Sequence, residues 1–295
     1  MSENSLHLRS HAKLNWYLHV FDPREDGFHD IETVFQELDL ADELTFEILR
    51  DANECVIDGF PDDVPAETNL ITRAWKLMQS AQPGIVRGLR VRVEKNIPRG
   101  GGLGGGSSNA ACALVALNEL YKLHLPLPEI ETLGASLGSD VPFFIRGGCA
   151  IGRGRGELLE SVQAPPAYHL VLTFPTHGIS TREAYLRLDQ IVSRPKPHHT
   201  LETFLRAIAT GNPYRLASAI SNDFELALKQ EKWFHDVISA LDHAGSLRSF
   251  LCGSGSTVAA LGKDHAHCLE LSKRLCHILP YTQSVTCTLA FRGAV

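Results

Sequence analysis

No two of the seven cysteines stand in CxxC spacing and no HExxH sequence occurs, so the familiar dithiol and zinc frameworks have no counterpart in this chain. The cysteines, at 55, 112, 149, 252, 268, 276 and 287, are odd in number and several lie in apolar runs, which predicts reduced, buried thiols in a cytoplasmic protein. No stretch approaches the roughly 18 uninterrupted apolar residues of a membrane-spanning helix. The polar opening MSENSLHLRSHAK also lacks the apolar centre of a secretion signal, so neither secretion nor a membrane site is expected. Basic excess is missing too: 28 Lys and Arg against 34 Asp and Glu leave a net charge of −6. Such a chain offers no basic face to nucleic acid, and a phosphate-bearing ligand has to be met by local loops. There is no internal repeat and no low-complexity tract. What is present is an ordinary globular composition, 44% hydrophobic and 21% charged, over 295 residues, enough for two domains.

Against that background the segment PRGGGLGGGSSNAACA, from Pro98 to Ala113, is unusual, with six glycines in the seven residues that end at Gly106. Glycine permits positive φ and close approach to the main chain, so consecutive amides can converge on one anion. The helix expected to begin at Ser107 turns Ala110, Ala111, Leu114, Leu117 and Tyr121 inward. Its first-turn amides lack acceptors and sit at the positive end of the helix dipole, which makes the whole segment a device for holding phosphate. Gly100, Gly102 and Gly105 satisfy GxGxxG, but the charged stretch 94–99 separates them from the strand expected over 89–93, and LHLPLPEIE beyond the helix reads as loop and new helix. A dinucleotide fold requires the opposite on both counts. No lysine precedes Ser107 or Ser108, which excludes the GxxxxGK[ST] loop, and neither HRD nor DFG occurs, which excludes a protein kinase. A flexible linker would have structureless polar flanks, whereas these are an alternating strand and an apolar-faced helix.

Further strands are predicted over 14–20, 44–48 and 143–151, with helices over 70–79, 107–123 and 128–137. Beyond a break at VQAPPA come a strand over 169–174, helices over 200–211, 214–228 and 233–243, and strands over 247–251, 257–261 and 284–291. This mixture lacks a regular βαβ beat and predicts an α+β fold in two domains, 1–162 and 163–295. The stretch 192–199, with Pro195 and Pro197, reads as an exposed connection whose His198 and His199 face solvent. In the strand over 14–20, Leu14, Trp16, Leu18 and Val20 alternate with Asn15, Tyr17 and His19, so Lys13, Asn15, Tyr17 and His19 are expected on one polar face. Asp140, in LGSDVPFF, follows a helix ending near Gly138 and by itself reads as a cap or turn residue. Asp264, His265, His267 and Cys268 lie close in sequence. On a helix, however, the two histidines point about 200° apart, and no metal site is expected.

The run PRGGGLGGGSSNAA resembles the second motif of the GHMP kinases, a family named for galactose, homoserine, mevalonate and phosphomevalonate. HAKLNWYLHV and DGFHDIETVFQ near the start, LGSDVPFFIRGG in the middle and LCGSGSTVAAL near the end resemble further segments of that family, in the same order, so the likeness covers nearly the whole chain. AKLN, DGFH and GSDVPFF are similar to the branch that phosphorylates 4-diphosphocytidyl-2-C-methyl-D-erythritol on its 2-hydroxyl for non-mevalonate isoprenoid synthesis. The resemblance implies an N-terminal ATP-binding domain and a C-terminal α/β-sandwich domain, with the active site in the cleft between them. It implies catalytic roles for Lys13 and Asp140: the aspartate accepts the proton of the attacking hydroxyl, and the lysine stabilises both that carboxylate and the phosphoryl group in transit. It implies ATP contacts from Asn69 and from Pro98, Arg99, Gly100, Gly101, Gly102, Leu103, Gly104, Gly105, Gly106, Ser107 and Ser108. Substrate contacts are implied for Asn15, Phe28, His29, Tyr185, Gly253 and Ser254, with cytosine between the rings of Phe28 and Tyr185 and its edge read by His29.

Mg2+ is expected with ATP, through Ser108 and phosphate oxygens, with no carboxylate named as its ligand. The expected partner is a small molecule with a cytidine diphosphate group, and the expected assembly a monomer or weak homodimer. Two departures from the family pattern stand out. His11 occupies a position usually held by proline, and Phe28 one usually held by tyrosine, which keeps the stacking surface and drops a hydroxyl. Another GHMP small-molecule kinase would keep the glycine run but leave AKLN and DGFH without a purpose. A non-catalytic nucleotide sensor would not need Lys13 and Asp140, and both are present.

Overall fold

Two long strands open the chain, β1 (Ser5–Pro23) and β2 (His29–Leu49), paired antiparallel with Ser5 opposite Glu47 and Val20 opposite Ile31. The computed structural model describes residues 4–60, 65–163, 165–195, 199–279 and 282–290. After β2 come β3 (Cys55–Asp58), α1 (Leu70–Ala81), β4 (Gly88–Glu94), α2 (Gly105–Leu120), α3 (Leu127–Leu137), α4 (Val141–Arg146), β5 (Cys149–Arg153) and β6 (Leu158–Ser161). Beyond VQAPPA the order is β7 (His169–Phe174), α5 (Thr181–Asp189), α6 (Leu201–Ile208), α7 (Pro213–Ala219), β8 (Ser221–Asn222) and α8 (Phe224–Ala227). The last elements are α9 (Lys232–Ala244), β9 (Arg248–Leu251), β10 (Val258–Leu261), α10 (His265–Ile278) and β11 (Gln283–Thr288).

Among the described residues these strands form two sheets, one of seven strands with the path β3-β4-β2-β1-β8, with β5 attached to β2 and β6 to β5, and one of four in the order β11-β7-β10-β9. Helices α1 to α4 pack on the first sheet through Phe46, Trp75, Leu114 and Phe143, and α9 and α10 on the second through Val237, Leu241 and Leu271. A third apolar cluster joins the halves. Trp16 of β1 lies 6.1 Å from Tyr168 and 5.7 Å from Phe250, ring centre to ring centre, and is wholly buried. Truncating such a residue costs about 3–5 kcal/mol. The α+β class is therefore as expected, built of two mainly antiparallel sheets layered with helices, with parallel pairing only of β3 with β4 and of β8 with β1 among the described residues.

Five local expectations change. The stretch 143–151 is not one strand: α4 runs to Arg146 with Pro142 in its first turn, ends at Gly147 and Gly148 with φ of 73° and 74°, and only then does β5 begin. The helix expected over 214–228 is two short helices separated by β8, which pairs parallel to β1 at Tyr17 and Leu18. Helix α5, not anticipated as an element, is capped by Ser180, whose hydroxyl accepts from the Glu183 amide. His199 is partly buried rather than solvent-facing, while Pro197, His198 and Phe291 lie outside the described residues.

The fifth change is in β1 itself. Asn15 sits opposite Phe35 and Tyr17 opposite Val34, so Trp16 is an extra residue in a β-bulge. The alternation reverses there. Tyr17, expected beside Lys13 and Asn15, instead packs with Leu14 and Trp16 at 2% exposure, while Leu18 comes round to the side of Lys13 and Asn15 and lines the same cleft.

Candidate active site

The glycine run forms the floor of a cleft of about 990 Å³. Gly104, in left-handed geometry (φ 71°), is the N-cap of α2, and the first intrahelical bond is from the Ser108 amide to the Gly104 carbonyl (2.9 Å). The amides of Gly105, Gly106 and Ser107 thus have no helical acceptor, and no cap side chain covers them. This helix start, two residues before the serine predicted to open it, also decides the fate of Ser108. That side chain is 1% exposed and accepts a hydrogen bond from Ser10 Oγ (2.8 Å), so it does not line the cleft.

Beneath the loop Asp42, fully buried, accepts from the amides of Asn96 and Ile97 (each 2.8 Å) and from Lys95 Nζ. The Asn109 amide, with its nitrogen turned to Asp42, donates to Asp42 Oδ2 (3.0 Å) and to the Gly105 carbonyl (3.1 Å). The far wall comes from the second half of the chain: the Thr257 amide donates to the Gly101 carbonyl (3.1 Å), and a Cβ at Gly102 would meet the Cys252 carbonyl at 2.1 Å. Burial pushes the Cys252 thiol up to about 12, so it sits under the loop protonated and is no nucleophile.

Lys13 reaches the cleft because its backbone is drawn out of the regular ladder. The β1 register jumps between His11 and Lys13, and the freed Lys13 amide donates to the Leu103 carbonyl (3.0 Å). Its Nζ donates to Asn15 Oδ1 (2.8 Å) and stands 3.6 Å from Asp140 Oδ2. Asn15 in turn donates to Thr33 Oγ1 (2.8 Å), which holds the amide oxygen toward the lysine. Asp140 occupies the N-cap position of α4 but makes no side-chain cap bond there, so the bare-sequence reading of a helix cap fails on geometry and the carboxylate is left facing Lys13. Gly253 closes this corner: a Cβ there would lie 3.2 Å from Lys13 Nζ and 3.5 Å from Asn15 Oδ1.

At the other end stand the aromatic residues. His29 and Tyr185 stack with ring centres 4.8 Å apart and planes 24° apart, and Tyr185 meets Phe224 edge-on at 4.9 Å. Burial, reinforced by the Asp140 carboxylate, pushes the Tyr185 hydroxyl up to about 12. Phe28 is half exposed and its ring is covered by the Arg155 guanidinium at 4.1 Å. Thus Tyr185 and His29 form one face, and Phe28 with Arg155 another. Ser254 Oγ lies 2.8 Å from Thr181 Oγ1 at the rim of α5. Asn69 also lines the cleft, and its side-chain oxygen caps α1 by accepting from the Ile71 amide (2.9 Å). Every anticipated site residue except Ser108 borders this one cleft.

Sequence reasoning passed over three groups. Lys95 and Arg155 border the cleft as added cations. Residues 222–225 brace it from behind: Asn222 donates to the carbonyls of Leu251 and Gly253 (both 2.8 Å), Asp223 accepts from His19 Nδ1 (2.6 Å) and the Val20 amide (2.9 Å), and Glu225 accepts from the Leu251 amide (3.1 Å). Burial holds the Glu225 carboxyl above its usual range. The run NDFE, polar residues inside an expected helix, was the available signal.

A glycine-floored cleft with a lysine and an aspartate facing each other lies between the two α+β layers, and the model of the GHMP kinases N-terminal domain matches residues 69–148. A crystal structure of a 4-(cytidine 5'-diphospho)-2C-methyl-D-erythritol kinase superposes with a TM-score of 0.79 at 31% identity, covering 97% of this chain and 100% of that one. The 4-diphosphocytidyl-2-C-methyl-D-erythritol kinase of Mycolicibacterium smegmatis is 37% identical over 281 residues, 93% of this chain and 87% of the relative. That of Mycobacterium tuberculosis is 36% identical over 279 residues, 92% and 86% of the two chains. The chain belongs to the 4-diphosphocytidyl-2-C-methyl-D-erythritol kinase family, and the GHMP kinases to which that family belongs use ATP as phosphoryl donor. No helix among the described residues is long and apolar enough to cross a membrane.

Proposed function

We propose that this chain transfers the γ-phosphoryl group of ATP to the 2-hydroxyl of 4-diphosphocytidyl-2-C-methyl-D-erythritol, in the cleft between domains 1–162 and 163–295. The observation that carries the reading is the approach of Lys13 Nζ to Asp140 Oδ2 (3.6 Å) beside uncapped amides of Gly105, Gly106 and Ser107. Phosphoryl transfer asks a protein mainly for position and charge. Asp140 accepts the proton of the attacking hydroxyl. Lys13, held by Asn15, neutralises that carboxylate and the charge that spreads over the transferring oxygens. The free amides and dipole of α2 receive the ATP phosphates, with Asn69 on the nucleoside side. Phe28 and Tyr185 are the shelves for cytosine, His29 meets its edge, and Gly253 and Ser254 border the diphosphate.

Mg2+ accompanies ATP in this reading, but the residues present do not fit a protein-ligated ion. Ser108 is turned to Ser10, and among the described residues no three His, Cys, Asp or Glu side chains converge. None of the roles above depends on it. The protein works in the cytoplasm as a monomer or weak homodimer.

The test is ATP turnover by purified protein with the cytidyl diphospho substrate, beside homoserine, mevalonate and a no-acceptor control. Selective turnover that falls by about 10²–10⁴-fold in Lys13→Ala and Asp140→Ala is expected. Turnover with another acceptor would remove the cytidyl reading, and near-full activity of Asp140→Ala would remove the aspartate as base.

A further inference from the structure

His29 is held at one ring nitrogen only. Its Nε2 lies 2.8 Å from Asp189 Oδ1, while Nδ1 has no hydrogen-bond partner among the described residues, and His29 borders the cleft. Asp189 comes from the opposite half of the molecule. It stands one helical turn after Tyr185 on α5, so the residue that stacks on the His29 ring and the residue that bonds its edge share a helix face. The carboxylate is fixed in turn from behind. Arg194 Nη2 lies 4.0 Å from Asp189 Oδ1, and the same guanidinium donates to the Val20 carbonyl (3.1 Å) and to Asp22 (3.0 Å) at the end of β1.

A carboxylate can only accept, so the hydrogen between His29 and Asp189 belongs to Nε2. In the neutral ring the other nitrogen then carries a lone pair. We propose that Asp189 is a positioning residue that fixes His29 with Nδ1 as acceptor, and thereby selects a ligand base bearing an exocyclic amino group over one with a carbonyl in its place. The proposal rests on the cytidyl-substrate reading: cytosine offers an amino donor at C4 where uracil offers an acceptor, and two acceptors face to face would leave both unpaired.

The experiment compares wild type, Asp189→Asn and Asp189→Ala with the cytidyl substrate and its uridyl counterpart, and reads the His29 tautomer by ¹⁵N NMR of the ring in each protein. Asparagine matches aspartate in shape but can donate to Nε2 as well as accept from it. If Asp189 served packing alone, Asp189→Asn would behave as wild type. We expect wild-type His29 to carry its hydrogen on Nε2, and Asp189→Asn to mix the tautomers. We also expect Asp189→Asn to raise KM for the cytidyl substrate about tenfold, to leave kcat within about twofold, and to narrow the cytidyl preference. Circular dichroism of Asp189→Ala checks that the fold survives. A wild-type ring protonated at Nδ1, or an undiminished cytidyl preference in both variants, would overturn the proposal while leaving the kinase reading intact. No turnover of the cytidyl substrate by wild type would instead remove that reading and the amino selection with it.

Discussion

Replacing Gly102 with alanine tests whether the phosphate loop is shaped from outside itself. Gly102 has φ +77°, and an added Cβ would stand 2.1 Å from the Cys252 carbonyl oxygen and 3.0 Å from that of Gly255. Carbon and carbonyl oxygen rest at about 3.3 Å, so one side has to retreat by roughly 1 Å. Cys252 is fully buried and its amide donates to the Thr257 carbonyl (2.9 Å), which leaves the glycine loop as the part that gives. The left-handed backbone adds about 1–2 kcal/mol for any residue with a Cβ, and forced overpacking a further 1–3 kcal/mol or so. A displacement of about 1 Å in positioned groups is also worth about 100-fold in rate. Gly102→Ala is therefore expected to lower Tm by roughly 5 °C or more and to weaken ATP binding by calorimetry along with turnover. Two neighbours supply the scale. Gly100 also has positive φ (+70°), but its Cβ would meet nothing within 4 Å, so only the backbone cost applies. Gly106 lies in α2 with Leu70 at an ordinary 3.5 Å, and alanine there is expected to gain about 0.5–1 kcal/mol. If Gly102→Ala matched Gly100→Ala in both Tm and ATP affinity, the clamp by residues 252–255 would be refuted.

Asn222→Ala strands the carbonyls of Leu251 and Gly253 and should cost about 1–3 kcal/mol in urea denaturation; an unchanged midpoint would show that the brace is dispensable. Lys95→Met removes the cation from fully buried Asp42, which keeps two backbone donors, and should destabilise by about 3 kcal/mol, the low end for a broken buried pair. Glu225 is raised from 4.5 by burial, so the native state holds its proton more tightly than the unfolded chain does. Its contribution is complete below pH 4.5 and is lost as pH climbs through the raised folded value; Glu225→Gln should flatten that part of a Tm-against-pH curve, and identical curves would refute the assignment.

The glycine run was legible because its chemistry is written in consecutive residues, and the strand, loop and helix around it follow from local pattern. Lys13 and Asp140 lie far apart in sequence, and only the family resemblance paired them. Other features escaped because they belong to neighbours rather than to the segment itself. The bulge at Trp16 is a property of how β1 pairs with β2, so no alternation within 14–20 could reveal that Tyr17 and Leu18 exchange sides. VPFFI is buried throughout, and a helix buried on every side has no apolar stripe to set it apart from a strand. Ser108 was turned inward by a helix start two residues earlier than the serines suggested, which is within the ordinary uncertainty of a helix end but large on the scale of a binding site. The brace at 222–225 looked like the polar side of one long helix, and its role is set by carbonyls that come later in the chain.

The hydrogen bond from Thr257 to Gly101 joins residues about half the chain's length apart. During synthesis the whole glycine run leaves the ribosome long before Cys252 to Thr257 exist. The loop's ends can form early, but the wall against which Gly101 and Gly102 rest arrives among the last residues made. A partly made chain therefore carries the motif without the shape, and the loop gains its far wall late, when the second sheet closes its β9–β10 hairpin over the first half. Peptides or fragments that stop short of that hairpin contain every glycine of the run and still lack its far wall.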